Sequence, residues 1–219
     1  SKNNVSDHLV PLPSSQLFDN TTGWFDRAKA ALGGNLPCCR GCSHCCVGLF
    51  PVTSLDREEI QRGLQSLPHE ERQAVEEKAA LQARMIEASA PDLARHPFID
   101  HWQDCDIDVL VDRFREVPCP ALEADGSCSL YEFRPLACRS MGIPVESDGI
   151  VQGACAIQTS VPLIRLPRSL RQEEDRLAGE EAEELARLRD RQSIAGEELL
   201  LPYAFLADIS DASLGGAGS

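Results

Sequence analysis

Residues 37–48 read PCCRGCSHCCVG and place five cysteines and one histidine in twelve positions. Cys39, Cys42 and Cys45 form C-x2-C-x2-C, and Cys46 follows directly. A short loop can turn three thiolates at this spacing toward one compact centre. Ferredoxin-type runs supply three of a cluster's four ligands in this way, the fourth coming from elsewhere. Zinc sites also use C-x2-C, usually as two such pairs. Disulfides and sulfur redox chemistry are the competing uses. Crowded free thiols oxidise, so inert thiols are the poorest reading. Adjacent side chains on extended backbone point opposite ways, so Cys45 and Cys46 are not expected to face the same place.

Working outward, the remaining cysteines are dispersed: Cys105, Cys119, Cys128, Cys138 and Cys155, with Cys38 at the edge of the cluster. No second C-x2-C occurs among them, which tilts the reading toward iron–sulfur over zinc. Eight thiolates fill two four-thiolate sites, or one site with a reserve. His44 is read as an exposed loop residue, and Cys38 and Cys105 as lying outside the ligand set.

The chain of 219 residues carries 21 Lys plus Arg against 35 Asp plus Glu, a formal charge of −14. That balance repels phosphate backbones and argues against nucleic-acid binding. It suits a partner with a basic patch. No apolar run approaches the length of a membrane span. No basic segment leading into an apolar stretch opens the chain. With ten cysteines and acidic helices rather than a small disulfide scaffold, the expected compartment is reducing and cytoplasmic.

The flanking segments read as helices and short strands. Residues 1–20 are expected to be a flexible arm. Residues 21–34 read as a helix capped by Thr21 or Thr22, with Trp24, Ala28 and Leu32 on one face and Gly33 and Gly34 ending it. A strand is expected near 46–52. Thr53 with Asp56 opens a helix carrying Ile60, Leu64 and Leu67, and Pro68 opens another carrying Val75, Ala79, Ala83 and Ile86. The segment DIDVLVDRF, 106–114, alternates and predicts a strand. Asp125-Gly126 predicts a turn that brings Cys119 and Cys128 together. Residues 149–166 read as strand and loop. A charged helix is predicted over 168–191, packing through Leu177, Leu185 and Leu188 with its acidic residues turned away. LLLPYAFL, 199–206, docks on the core or on a partner. The expected fold is α+β: a small irregular cysteine-rich core with short strands, flanked by several α-helices. Its expected organisation is an arm at 1–20, a cysteine domain at 21–167 and an acidic helical segment at 168–219.

The block CRGCSHCC, with CPAL at Cys119, CSLYEFRPLACRS over 128–140 and GAC at Cys155, resembles the YkgJ-like CxxCxxCC cysteine-cluster family, bacterial proteins described as chelating zinc or iron. Two separated motifs occur in the family's order, across about residues 37–160. The resemblance implies a metal or cluster held by Cys39, Cys42, Cys45, Cys46, Cys119, Cys128, Cys138 and Cys155. It implies no reaction. Flagellin lysine methylases carry a similar cluster, but no Gly-rich nucleotide loop is found here, so that activity is not transferred.

Beside the resemblance, four thiolates on zinc or on an oxidised four-iron cluster leave a net negative charge. Arg40, Arg134 and Arg139 are placed to offset it and to donate to sulfur. Pro135 stiffens the turn presenting Cys138, and Tyr131 is read as a core residue. Three functions are open: a metal-binding protein with a structural, carrier or redox centre, iron–sulfur (4Fe-4S) ahead of zinc; a cluster-dependent transferase; and an interaction module using the acidic helices.

Overall fold

The computed structural model describes residues 13–32, 36, 41–143, 145–147, 150–152, 166–192 and 195–209. Helix α1 spans Pro13–Ala31. Strand β1, Pro51–Thr53, runs into α2, Ser54–Ser66, and α3 follows at His69–Glu87. Next come α4, Asp104–Arg113, and α5, Leu136–Ser140. Strands β2, Val145–Ser147, and β3, Ile150–Gln152, form an antiparallel pair. The chain closes with α6, Arg168–Gln192, strand β4, Glu198–Leu200, and α7, Leu201–Ala204. The α+β expectation holds. Among the described residues, no helix is long and apolar enough to cross a membrane.

Two apolar clusters meet at α2. Ile60 and Leu64 face the first, with α3, α4, the antiparallel β1–β4 ladder and α7. Leu55 faces the second, with α1, α5 and α6. The predicted stripe of α3 is buried at all four positions: Val75, Ala79, Ala83 and Ile86. Thr53 and Asp56 form the expected reciprocal cap, Asp56 Oδ2 accepting from the Thr53 N–H at 2.9 Å. The other Asp56 oxygen accepts from Leu136 N–H at 2.7 Å, so one buried carboxylate ties the starts of α2 and α5 together. LLLPYAFL docks on the core. Leu199, Leu200 and Ala204 are fully buried, which leaves no apolar patch there for a partner.

Four expectations are corrected. First, α1 starts at Pro13, inside the segment read as a flexible arm. Pro at a helix start costs no hydrogen bond, and Leu17 and Phe18 extend the buried stripe of Trp24, Ala28 and Leu32. Thr21 and Thr22 therefore sit mid-helix, their hydroxyls donating back to the Leu17 and Phe18 carbonyls at 2.9 and 3.1 Å. Second, DIDVLVDRF lies in α4 and the turn after it. Ile107, Leu110 and Phe114 pack inward at helical spacing while Val109 stays exposed, and Asp104 and Asp106 favour the helix N-terminus. Third, Glu184 of α6 is buried rather than turned away, paired with Arg187, and Glu174 and Glu181 are half-buried. Fourth, Tyr131 is 39% exposed instead of being part of the core. The calls at Cys38, Cys39, Arg40, Gly33, Gly34 and Cys155, and those on residues 1–12 and 153–165, lie outside the described residues.

Close packing on α2 fixes the second cysteine block. A Cβ built on Gly63 would lie 2.7 Å from Phe133 Cβ and 3.0 Å from Leu130 Cδ2. Gly63→Ala is expected to lower stability by about 1–3 kcal/mol through overpacking. Gly179 on α6 has nothing within 4 Å of such a Cβ. Gly179→Ala is expected to gain about 0.5–1 kcal/mol from helix entropy. Urea denaturation of both variants checks the pair, and a neutral Gly63→Ala would sink the packing argument.

Candidate metal centre

The first cysteine loop is held against the second block by backbone. Cys119 N–H donates to the Cys46 carbonyl at 2.7 Å, and Gly48 N–H to the Val117 carbonyl at 2.8 Å. Gly48 has φ of 110°, so an L side chain would be strained there. Residues 44–46 form a 3-10 turn. Adjacent side chains on such a turn diverge by about 120° rather than 180°. The expectation that Cys45 and Cys46 face apart is corrected accordingly: their thiols interact and line the same cavity.

The second block is shaped by the predicted turn. Gly126 has φ of 82°, Glu123 N–H donates to the Ser127 carbonyl at 2.9 Å, and Leu122 bridges Cys128. Asp125 accepts from the Ser127 N–H and hydroxyl, closing the loop tip. The turn sets Cys119 and Cys128 on the same cavity, as expected. Pro135 precedes α5, whose single turn presents Cys138.

These pieces enclose a cavity of about 330 Å3 lined by Cys42, Cys45, Cys46, Cys119, Cys128 and Cys138. Thiols from both sequence blocks thus share one space. Cys105 is exposed on α4, His44 is exposed on the 3-10 turn, and neither lines the cavity. None of the seven described free cysteines is bonded in a disulfide. Among the described residues, no three Cys, His, Asp or Glu side chains are gathered tightly enough to grip an ion.

Their protonation follows from burial and from each other. Cys119 is pushed up to about 12, chiefly by burial. Cys138 is raised well above its ordinary value by burial and then by Cys119 and Cys45. Cys45 is raised by its hydrogen bond with Cys46, then by burial. Burial also raises Cys128. Cys45 interacts electrostatically with Cys46, Cys119, Cys128 and Cys138, which places it at the hub of the group.

The two arginines divide in a way their sequence positions do not show. Arg134 lies over the Tyr131 ring at 3.7 Å, its Nε donates to the Tyr131 carbonyl at 2.8 Å, and its charge opposes the upward shifts of Cys45 and Cys128. Arg139 also reaches the cavity wall, but it is buried and its hydrogen bonds go to Glu59 at 3.2 Å, Thr22 at 2.8 Å and the Arg134 carbonyl at 2.8 Å. The expectation that Arg139 donates to sulfur is corrected to a clamp between α1, α2 and the second block. Sequence reading missed Phe25, Asp26 and Lys29, which α1 brings to the cavity wall. Their spacing on one helix face is a signal only once that face is known to meet the cysteine loops.

A family model, CxxCxxCC, described as "Putative zinc- or iron-chelating domain", matches residues 38–156. No curated protein and no solved structure matches the chain.

Proposed function

From the premise that the chain belongs to the CxxCxxCC family, we propose that it holds a cysteine-ligated metal centre in the thiol cavity, an iron–sulfur cluster ahead of zinc. The carrying observation is that six thiols from two distant sequence blocks line one space. Cys42, Cys45, Cys46, Cys119, Cys128 and Cys138 are the ligands proposed from that wall, with Cys39 and Cys155 added from the sequence motif. A zinc ion with bonds of about 2.3 Å draws its sulfurs tightly together. A cavity of about 330 Å3 has room for a group with its own volume. A cluster there supplies one-electron chemistry or a Lewis-acidic iron.

The chain's own part is to hold the sulfurs, balance their charge and release their protons. Raised thiol values mean that the metal-free site is protonated at neutral pH. Loading therefore releases protons, and affinity rises with pH. Arg134 offsets the negative charge of the loaded thiolates. Free thiols suit a reducing compartment, which fits a cytoplasmic location. The role we favour is structural, carrier or redox.

Anaerobic purification, a visible spectrum and elemental analysis test this reading. A brown protein with matched iron and sulfide is expected. A colourless protein with stoichiometric zinc and no iron overturns the cluster, and one with neither overturns the centre.

Ionisable Asp26, Lys29 and Glu132 on the same wall favour a second reading, a cluster-dependent transferase. An added ligand such as imidazole that shifts the spectrum of the loaded centre supports an open coordination position. An unresponsive spectrum argues for the closed structural or carrier role.

A further inference from the structure

A second cavity, of about 340 Å3, lies on the other side of α5, beneath α6. Its walls come from six elements, with Pro51, Val52 and Thr53 of β1 adding no charge. Leu17, Thr21 and Trp24 of α1 and Leu136, Ala137 and Ser140 of α5 bring no titratable group. Asp56 enters from α2, Glu198 from β4, and Glu174 and Glu181 from α6. Among the described residues no lysine or arginine is on the wall, so three elements aim carboxyl groups at one space; Arg139, off that wall, acts on Asp56. The docking of α6 rests on Leu170, Leu177, Leu185 and Leu188, together with Trp24 Nε1, which donates to the Leu170 carbonyl at 2.8 Å. Glu181 sits between Leu177 and Leu188 on that docked face.

We propose that this cavity is a proton-sensitive latch: a proton held at Glu181 keeps α6 docked across α1, α2 and β4, and its loss loosens the helix against Asp56 and Glu198. Burial first, then Asp56 and Glu198, hold Glu181 up to about 7. Asp56 is already committed to the Thr53 and Leu136 N–H groups, and Glu198 is itself raised by burial and then by Asp100 and Glu197. Glu174 is raised by burial and opposed by Arg171, a cation that does not act on Glu181. An unfolded glutamate titrates near 4.5. The docked helix therefore keeps its full stability below that value and loses part of it as pH rises to about 7, with a flat response above. The inner wall of the cavity is α5, which carries Cys138 on its other side, so loosening α6 uncovers the back of the thiol site.

The test compares the full-length protein with Glu181→Gln, which mimics the protonated side chain. Hydrogen exchange of the α6 amides is read as protection factors at pH 4 and pH 8, so that base-catalysed exchange cancels. Near-equal protection is expected at pH 4, below the unfolded value. At pH 8 the variant is expected to be at least about fivefold better protected, within the limit of about tenfold per pH unit that one proton allows. Equal protection at both values overturns the latch, as does a variant less protected at pH 8. Carbon NMR of the Glu181 carboxyl gives a second measurement that needs no variant. A midpoint near 7 supports the proposal, and one in the ordinary carboxylate range overturns it. Neither readout depends on the identity of the metal.

Discussion

Arg139→Met is expected to destabilise the protein by about 3–5 kcal/mol, the cost of breaking a buried ion pair from one side. Domains of this size are stable by roughly 5–15 kcal/mol, so such a loss takes a large share. Methionine matches the length of the stem but leaves Glu59, among the described residues, with Arg62 alone, itself partly exposed. The Arg134 carbonyl and the Thr22 hydroxyl also lose their donor. The Phe18 ring, 5.2 Å from the guanidinium, loses its cation. An exposed pair provides the contrast. Arg95 and Asp92 are both mostly solvated, and Arg95→Met is expected to change stability by less than about 1 kcal/mol. Guanidinium denaturation of the two variants decides it. If Arg139→Met behaves like Arg95→Met, the clamp between α1, α2 and the second block is not a stability element.

Cys45→Ser is expected to lower metal affinity by more than the roughly 10–100-fold that loss of an outer-shell partner costs. The reason is its position: its thiol interacts with those of Cys46, Cys119, Cys128 and Cys138. A serine hydroxyl is a poor soft-metal ligand, and Cys119 couples to three of the thiols against four for Cys45. Cys105→Ser, on the exposed face of α4, is the control and is expected to keep full metal content. Metal per chain, measured on anaerobically purified protein, checks both. Full occupancy in Cys45→Ser would remove it from the ligand set. A loss in Cys105→Ser would mean that the site extends beyond the thiol cavity.

The regular elements were legible wherever a local rule sufficed. The stripe Val75, Ala79, Ala83, Ile86 has helical period, and the four residues are buried on α3. Thr53 with Asp56 carries its own capping chemistry, and Asp125-Gly126 its own turn. Alternation failed at 106–114 because period 2 over a few residues also lets Ile107, Leu110 and Phe114 share a helical face, and packing against the first core chose the helix. Thr21 and Thr22 look like caps in isolation, but Leu17 and Phe18 give α1 more apolar surface to bury upstream.

The sequence by itself determined the chemistry of the candidate site. Thiol type, the C-x2-C-x2-C spacing and the order of the two blocks are covalent facts, and they point to a soft-metal centre without any coordinates. Only the tertiary structure decided which groups meet. Cys45 and Cys138 are 93 residues apart (138 − 45), and nothing local says that they share a cavity; the Cys119–Cys46 and Gly48–Val117 backbone bonds bring them there. The same holds for the arginines. Arg134 and Arg139 look equivalent beside Cys138, yet Arg134, ahead of α5, acts on Cys45 and Cys128, while the turn of α5 buries Arg139 against Glu59. The carboxyl groups of Asp56, Glu181 and Glu198 belong to a buried cap, a charged helix and a strand end, and each is unremarkable where it stands in the chain. Their mutual repulsion exists because α6 folds back over α2 and β4, and electrostatic energy depends on distance through space.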